Sequence, residues 1–182
     1  RRGPSLRIST AEFVAIMAML VATVAISIDG LLPALSIIAE ELTPSRPNNA
    51  QIILSSFVAG MAIGTLIVGP LSDSYGRKPI IYGGAFIYIL TSVVCVVSQS
   101  LELILVARFL QGVGASAPRV VAQALVRDFY KGREMARISS FIMIVFALVP
   151  AVAPLLGSFV MFAFDWRAIF FMFIAFVAIS TI

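Results

Sequence analysis

Three ionisable residues stand where an apolar sequence should have none. Asp29, Arg108 and Arg119 each fall inside a long hydrophobic run. A charge at mid-membrane costs roughly 2.5–3.5 kcal/mol on insertion scales, so each needs a polar cavity or a partner. Arg108, Gln111, Ala115, Arg119 and Gln123 recur at spacings of three and four, which puts them on one helix face. A stripe of that kind on an otherwise apolar helix should turn to water or to a bound molecule. Asp29 and Arg108 have the chemistry to bind and release a proton, because low-dielectric surroundings favour the neutral carboxyl and a nearby guanidinium favours the charged one. The alternatives are a structural ion pair that fixes helix register and, for Arg119, a side chain that snorkels to the membrane surface.

Other chemistries lack their parts. There is no histidine and only one cysteine, Cys95, inside an apolar run. A metal site therefore has no visible ligand set, and no nucleophile–base pair points to an enzyme. No cofactor is implied beyond protons as a coupling ion. The net charge of +4 sits in short loops rather than along one face, so nucleic acid is not an expected partner.

The elements that must position these residues follow from hydropathy. The chain has 182 residues, 60% of them apolar and 12% charged, against about 45–50% and 25% in soluble domains. Lipid must be the solvent for much of its surface. Continuous apolar runs without alternation predict helices rather than a membrane barrel. The expected fold is all-α and integral to the membrane, a six-helix bundle over residues 1–182. Its helices are expected near 10–38, 49–70, 79–98, 101–127, 135–164 and 167–182. Ser9 with Glu12 three residues later reads as a capping box. The segment 40–49 is polar and carries Pro44 and Pro47, which stop helices. The last span is shorter than the roughly 20 residues a bilayer requires, so the sixth helix is expected to be cut or to continue.

Orientation follows from Lys and Arg. Nine lie on one side: Arg1, Arg2, Arg7, Arg77, Lys78, Arg127, Lys131, Arg133 and Arg137. Two, Arg46 and Arg167, lie on the other. The expected N-terminus is cytoplasmic. At 1.5 Å per residue, Arg108 then lies roughly 10 Å below the outer surface and Asp29 roughly 24 Å from the inner side. Both fall in the outer half and can face each other across a cavity. Arg119 lies about 27 Å along its helix.

Small residues and breaks complete the pattern. Gly60 and Gly64 form a Gly-x-x-x-Gly pair, and Gly112 with Gly114 offers similar close approach. Pro33, Pro150, Pro154 and Gly157 read as hinge positions, where a helix rocks or lines a cavity, or as static kinks.

The segment Gly69-Pro70-Leu71-Ser72-Asp73-Ser74-Tyr75-Gly76-Arg77-Lys78-Pro79 resembles the signature loop between the second and third helices of the major facilitator superfamily, G-x-L-x-D-x-x-G-R-[KR]. Ser74 stands where that family often has Arg or Lys. The resemblance implies a gating loop of Gly69, Asp73, Gly76, Arg77 and Lys78. Asp128, at the end of the fourth helix, is the expected acid for Arg77. Asp29-x-x-x-Pro33, Arg108-Phe109-Leu110-Gln111-Gly112-Val113-Gly114-Ala115 and Pro150-Ala151-Val152-Ala153-Pro154-Leu155-Leu156-Gly157 are similar to motifs of 12-helix drug:proton antiporters. The last resembles the bicyclomycin/chloramphenicol-resistance branch, with Ala153 where Gly is more common.

The resemblance implies the N-terminal half of a proton-coupled exporter of drug-like small molecules in a bacterial inner membrane. Asp29 and Arg108 would couple the proton. Gln111, Ala115, Arg119, Gln123 and Met19 would line the substrate cavity. The expected partners are the drug, the lipid bilayer, and a C-terminal six-helix half or a second copy of the chain. A sugar or metabolite carrier and a non-transporting membrane scaffold are the alternatives; the first needs more hydrogen-bonding groups than the spans hold.

Overall fold

A computed structural model describes residues 9–42 and 47–181. The expectations placed on Arg1, Arg2, Arg7, Pro44, Arg46 and Ile182 lie outside the described residues. Within them the chain forms seven α-helices and two short 3-10 turns, without a strand. The helices are α1 (Thr10–Asp29), α2 (Leu35–Leu42), α3 (Ile52–Tyr75), α4 (Arg77–Val97), α5 (Leu101–Phe129), α6 (Gly132–Ala163) and α7 (Ala168–Thr181). Five stretches are long and apolar enough to cross a membrane, the first of them being Thr10–Leu42. The sixth, α7, has 14 residues and reaches about 21 Å, short of a 30 Å core.

Local chemistry sets the helix ends. Ser9 caps α1: its hydroxyl accepts the Glu12 N–H at 3.2 Å, and Glu12 accepts the Ser9 N–H at 2.7 Å. The first span breaks after Asp29. Pro33 has no N–H to offer the Asp29 carbonyl, and a 3-10 turn at Leu32–Ala34 connects α1 to α2. By contrast, α6 runs unbroken through Pro150 and Pro154. The signature segment is mostly helical: α3 continues to Tyr75 and α4 starts at Arg77. Only Gly76 turns the chain, at φ 90°, which a side chain would resist.

Helix α5 is the hub. It packs on α3, α4 and α1, while α1 also meets α6 and α7. The crossings are close because glycines remove the intervening side chains. A Cβ on Gly112 would strike the Phe57 carbonyl, and one on Gly60 would strike the Phe109 carbonyl, so α3 and α5 interlock reciprocally. Gly84 and Gly114 do the same for α4 and α5, and Gly157 of α6 lies against the Gly30 carbonyl at the break in the first span. Two apolar clusters fill the ends. One centres on Phe57, Trp166, Phe170 and Phe173, the other on Phe13, Val126, Tyr130 and Ile142.

The outside is apolar too. Leu66, Phe86, Leu148, Leu155, Phe159 and Phe162 are exposed, an arrangement that suits hydrocarbon and not water. Helices α6 and α3 are the least covered of the long helices.

Opposite the Gly76 turn, a polar clip joins three elements. The Trp166 indole donates to Glu41 at 2.6 Å, and Arg167 donates to the same carboxylate at 2.8 Å. Arg167 also pairs with Asp165 at 3.1 Å, donates to the Ser98 carbonyl at 3.4 Å, and lies 4.3 Å from the centre of the Trp166 ring. The Glu41 hydrogen bond raises the Arg167 pKa above its ordinary value. The clip thus ties α2 to the end of α4 and the start of α7.

Two measurements check this account. Gly112→Ala should lower the melting temperature in detergent, at a cost of about 1–3 kcal/mol from overpacking. Gly83→Ala, with nothing within 4 Å of its added carbon, should not lower it. Equal melting would refute the close α3–α5 crossing. Trp166→Phe keeps an aromatic ring but loses the indole N–H donor, and should destabilise by at least about 1–2 kcal/mol. An unchanged melting midpoint would remove the clip from the account.

Candidate functional site: a buried guanidinium at a helix end

Arg108 lies two turns into α5, behind the cap that Ser100 provides to the Leu103 N–H at 3.4 Å. Its side chain is 0% exposed. It has no carboxylate partner among the described residues. Nη2 donates to the Ser27 carbonyl at 2.9 Å, and Nη1 to the Gln111 side-chain oxygen at 2.6 Å. The guanidinium carbon lies 4.4 Å from the centre of the Phe57 ring of α3, a cation–π contact. Nε has no hydrogen-bond partner among the described residues.

The break in the first span makes the Ser27 carbonyl available. In a continuous helix it would take the Leu31 N–H. Here Leu31 bonds to the Ile28 carbonyl at 3.3 Å instead. The carbonyl left over in the last turn of α1 is an orphan acceptor. It also lies at the negative end of the helix dipole, where a cation is favoured. A helix terminus therefore supplies what a counter-ion would otherwise supply.

Helix α4 closes the network. Gln111 donates through Nε2 to the Ser92 hydroxyl, and Ser92 donates to the Tyr88 carbonyl at 2.7 Å. Ser27 gives its one hydroxyl proton to the Thr23 carbonyl at 2.6 Å, so the Tyr88 hydroxyl must be the donor in its short bond to Ser27. Tyr88 and Ser92 sit four residues apart on α4 and were not read from the sequence as site residues. Their spacing was the available signal.

Asp29 is the last residue of α1 and is half-buried. It makes no ion pair or hydrogen bond among the described side chains. Arg108 thus reaches the backbone two residues before Asp29 and not the carboxylate itself. The stripe on α5 divides. Gln111 and Ala115, expected at a substrate cavity, are fully buried, because α4 and α1 supply partners and packing on that face. Arg119 is half-buried, with Nη1 3.7 Å from the Met61 sulfur. Gln123 is exposed and lines a cavity of about 260 Å³ between α1, α5 and α6, with Arg127, Met135, Ser139 and Met143. Met19 is not there. It lines separate grooves with Ile81 and Tyr82 of α4 and with Val145 and Phe176, so the five expected cavity residues do not share one cavity.

At the Gly76 turn the charges converge. Arg77 lies 2.8 Å from Asp73 and 3.2 Å from Asp128, and donates to the buried Ser72 hydroxyl at 2.6 Å. One guanidinium thereby ties the end of α3 to the end of α5. Lys78 is exposed, and Gly69 has open space around it. Among the proline and glycine positions read as hinges, Pro33 marks a break, Gly157 a close contact with it, and Pro150 and Pro154 lie inside a continuous helix.

Residues 15–182 match the sequence pattern of the Major Facilitator Superfamily. The chain is 38% identical over 163 residues to a bicyclomycin resistance protein homolog of Haemophilus influenzae, covering 90% of this chain and 41% of the relative. It is 38% identical over 148 residues to the uncharacterized MFS-type transporter YdgK of Bacillus subtilis, covering 80% and 36%. It is 38% identical over 143 residues to the multidrug resistance protein MdtL of Escherichia coli O157:H7, covering 79% and 36%. The chain spans about two fifths of the length of these relatives. On the match over nearly its whole length, the chain belongs to the Major Facilitator Superfamily of membrane transporters.

Proposed function

We propose that the chain is the N-terminal half of a proton-coupled exporter of drug-like apolar or amphipathic molecules, working by alternating access in a bacterial inner membrane with its N-terminus in the cytoplasm. One observation carries the reading: a fully buried guanidinium, Arg108, is bound at the end of the helix whose last residue is a half-buried acid, Asp29. An intramembrane acid that no ion pair neutralises is suited to take up and release a proton. The names of two relatives, one for bicyclomycin resistance and one for multidrug resistance, support a drug as cargo. So does the cavity beside Gln123, where Met135 and Met143 give an adaptable apolar wall.

In this mechanism Asp29 is loaded with a proton from outer water. It releases that proton inward as drug binds, and exclusive occupancy by proton or drug gives exchange. The exposed faces of α3 and α6 receive a C-terminal half or a second copy. The Arg77 clasp on Asp73 and Asp128 holds the inner ends of α3, α4 and α5 together during the exchange. The coupling ion is the proton, with no further cofactor.

The test uses everted membrane vesicles holding the complete transporter, with ethidium, chloramphenicol and bicyclomycin as probes. Wild type should accumulate a probe when a proton gradient is applied. Asp29→Asn, inserted to the same level, should fall to the background of vesicles without the protein. Proton-driven accumulation that survives Asp29→Asn would sink the assignment.

A further inference from the structure

The cavity between α1, α5 and α6 has a polar edge that its apolar wall does not explain. The wall is made of nearly buried aliphatic side chains, Val21, Val126 and Ile142, with Met135 and Met143 beside them. The edge holds Gln123, Arg127 and Ser139. None of the three makes a hydrogen bond or ion pair among the described residues. Their neighbours are occupied. Ser140 returns its hydroxyl to the Ala136 carbonyl at 2.9 Å, and Asp128 is held by Arg77 at 3.2 Å. No carboxylate among the described residues lines the cavity. Glu134, the residue before Met135, lines a separate groove with Thr10 and Arg137. We propose that this cavity, at the inner ends of α5 and α6, is a subsite for amphipathic anions, in which Arg127 takes the acidic head of the cargo and selects against lipophilic cations. The inference rests on the exporter reading above and names the charge class of its cargo.

Donors outnumber acceptors at that edge. A guanidinium offers five N–H donors and no acceptor, the Gln123 amide two donors, and Ser139 one. A carboxylate is the complementary group, since it can take two parallel N–H bonds from one guanidinium. A lipophilic cation meets like charge there, with no acid to offset it. Arg119 adds to the bias. It lies one turn before Gln123, as Arg127 lies one turn after, so the three follow one another along one face of α5. Arg119 too has no carboxylate partner among the described residues, and its Nη1 reaches only the Met61 sulfur. The flanking helix ends offset each other. The start of α6, whose first turn carries no side-chain cap, brings a positive pole, and the end of α5 brings a negative one. The guanidinium therefore decides the sign. Volume sets how much of the cargo enters. At about 260 Å³ the cavity falls just under the roughly 300–1,000 Å³ of pockets that enclose a drug-sized ligand. It holds the acidic head and one ring system, and the rest of the cargo extends past the exposed Met143 side chain.

The test presents one ring system as anion, neutral molecule and cation. The complete transporter in detergent, without a gradient, is titrated with 1-naphthaleneacetate, 1-naphthaleneacetamide and 1-naphthylmethylammonium, and binding is read by equilibrium dialysis. Wild type should bind the acid about tenfold more tightly than the cation, the worth of one charge-assisted contact at a site open to solvent. Arg127→Gln should erase that preference and leave binding of the amide unchanged; Arg127→Glu should reverse it. Arg133→Gln removes an exposed cation of the same segment that does not line the cavity, and should leave the preference intact. A wild type that binds none of the probes or does not distinguish them, a preference that survives Arg127→Gln, or one that Arg133→Gln abolishes equally would overturn the proposal. So would its loss on adding phosphatidylglycerol, which would assign Arg127 to a lipid phosphate. Failure of the exporter reading looks different: the acid binds selectively through Arg127, yet wild-type vesicles show no proton-driven accumulation of any probe.

Discussion

The bond between the Arg108 guanidinium and the end of α1 is the contact around which the rest is arranged. A cation cannot be left in the middle of a helical bundle without compensation, and among the described residues no carboxylate provides it. The compensation is structural. Pro33 ends the helix, the end exposes a carbonyl, and the carbonyl lies at the negative pole of α1. Gln111 and the Phe57 ring complete the cradle. Removing the break would remove the acceptor, so the proline and the arginine, 75 positions apart in the chain, form one device.

Close packing lets that device work in lipid. Between helices in a bilayer the solvent gives little hydrophobic drive, and association relies on shape and on polar contacts. The glycines of α3, α4 and α5 bring backbones together, and polar networks sit where the backbones meet. The exterior remains apolar, since hydrocarbon is its solvent. Burial accordingly separates two kinds of helix. The well-covered α1 and α5 carry the charges, while α3 and α6 present wide apolar faces with little of this chain against them.

Much of this was legible in the residues. Continuous apolar runs fixed the helical class, and counting residues put Asp29 and Arg108 at a common depth. The pairing of Arg77 with Asp128 followed from the topology of the turn. What was not legible has physical reasons. An orphan carbonyl has no letter of its own, so the partner of Arg108 was sought among side chains. Tyr88 and Ser92 looked like ordinary members of an apolar run, because a serine hydroxyl can bond locally inside its helix and a tyrosine ring packs like any other apolar ring. Gln111 and Ala115 were assigned to a cavity because periodicity identifies a face without saying what lies against it. The segment around Gly76 read as a loop because its polar residues suggested one, although only a single residue leaves the helical conformation. Arg167 was counted as a loop charge, since its relation to Glu41 depends on two distant ends meeting.

That last pairing bears on how the molecule is made. Glu41 emerges early, and its partners Trp166 and Arg167 follow 125 and 126 residues later. At about 5–20 residues per second, roughly 6–25 s of synthesis separate them. During that interval α2 has no clip to hold it, and the first span can rotate or slide within the bilayer. Its final register is set only when the start of α7 arrives. The start of α7 thus acts as the last stitch, and a ribosome pausing before Trp166 would leave the first span inserted but unfastened.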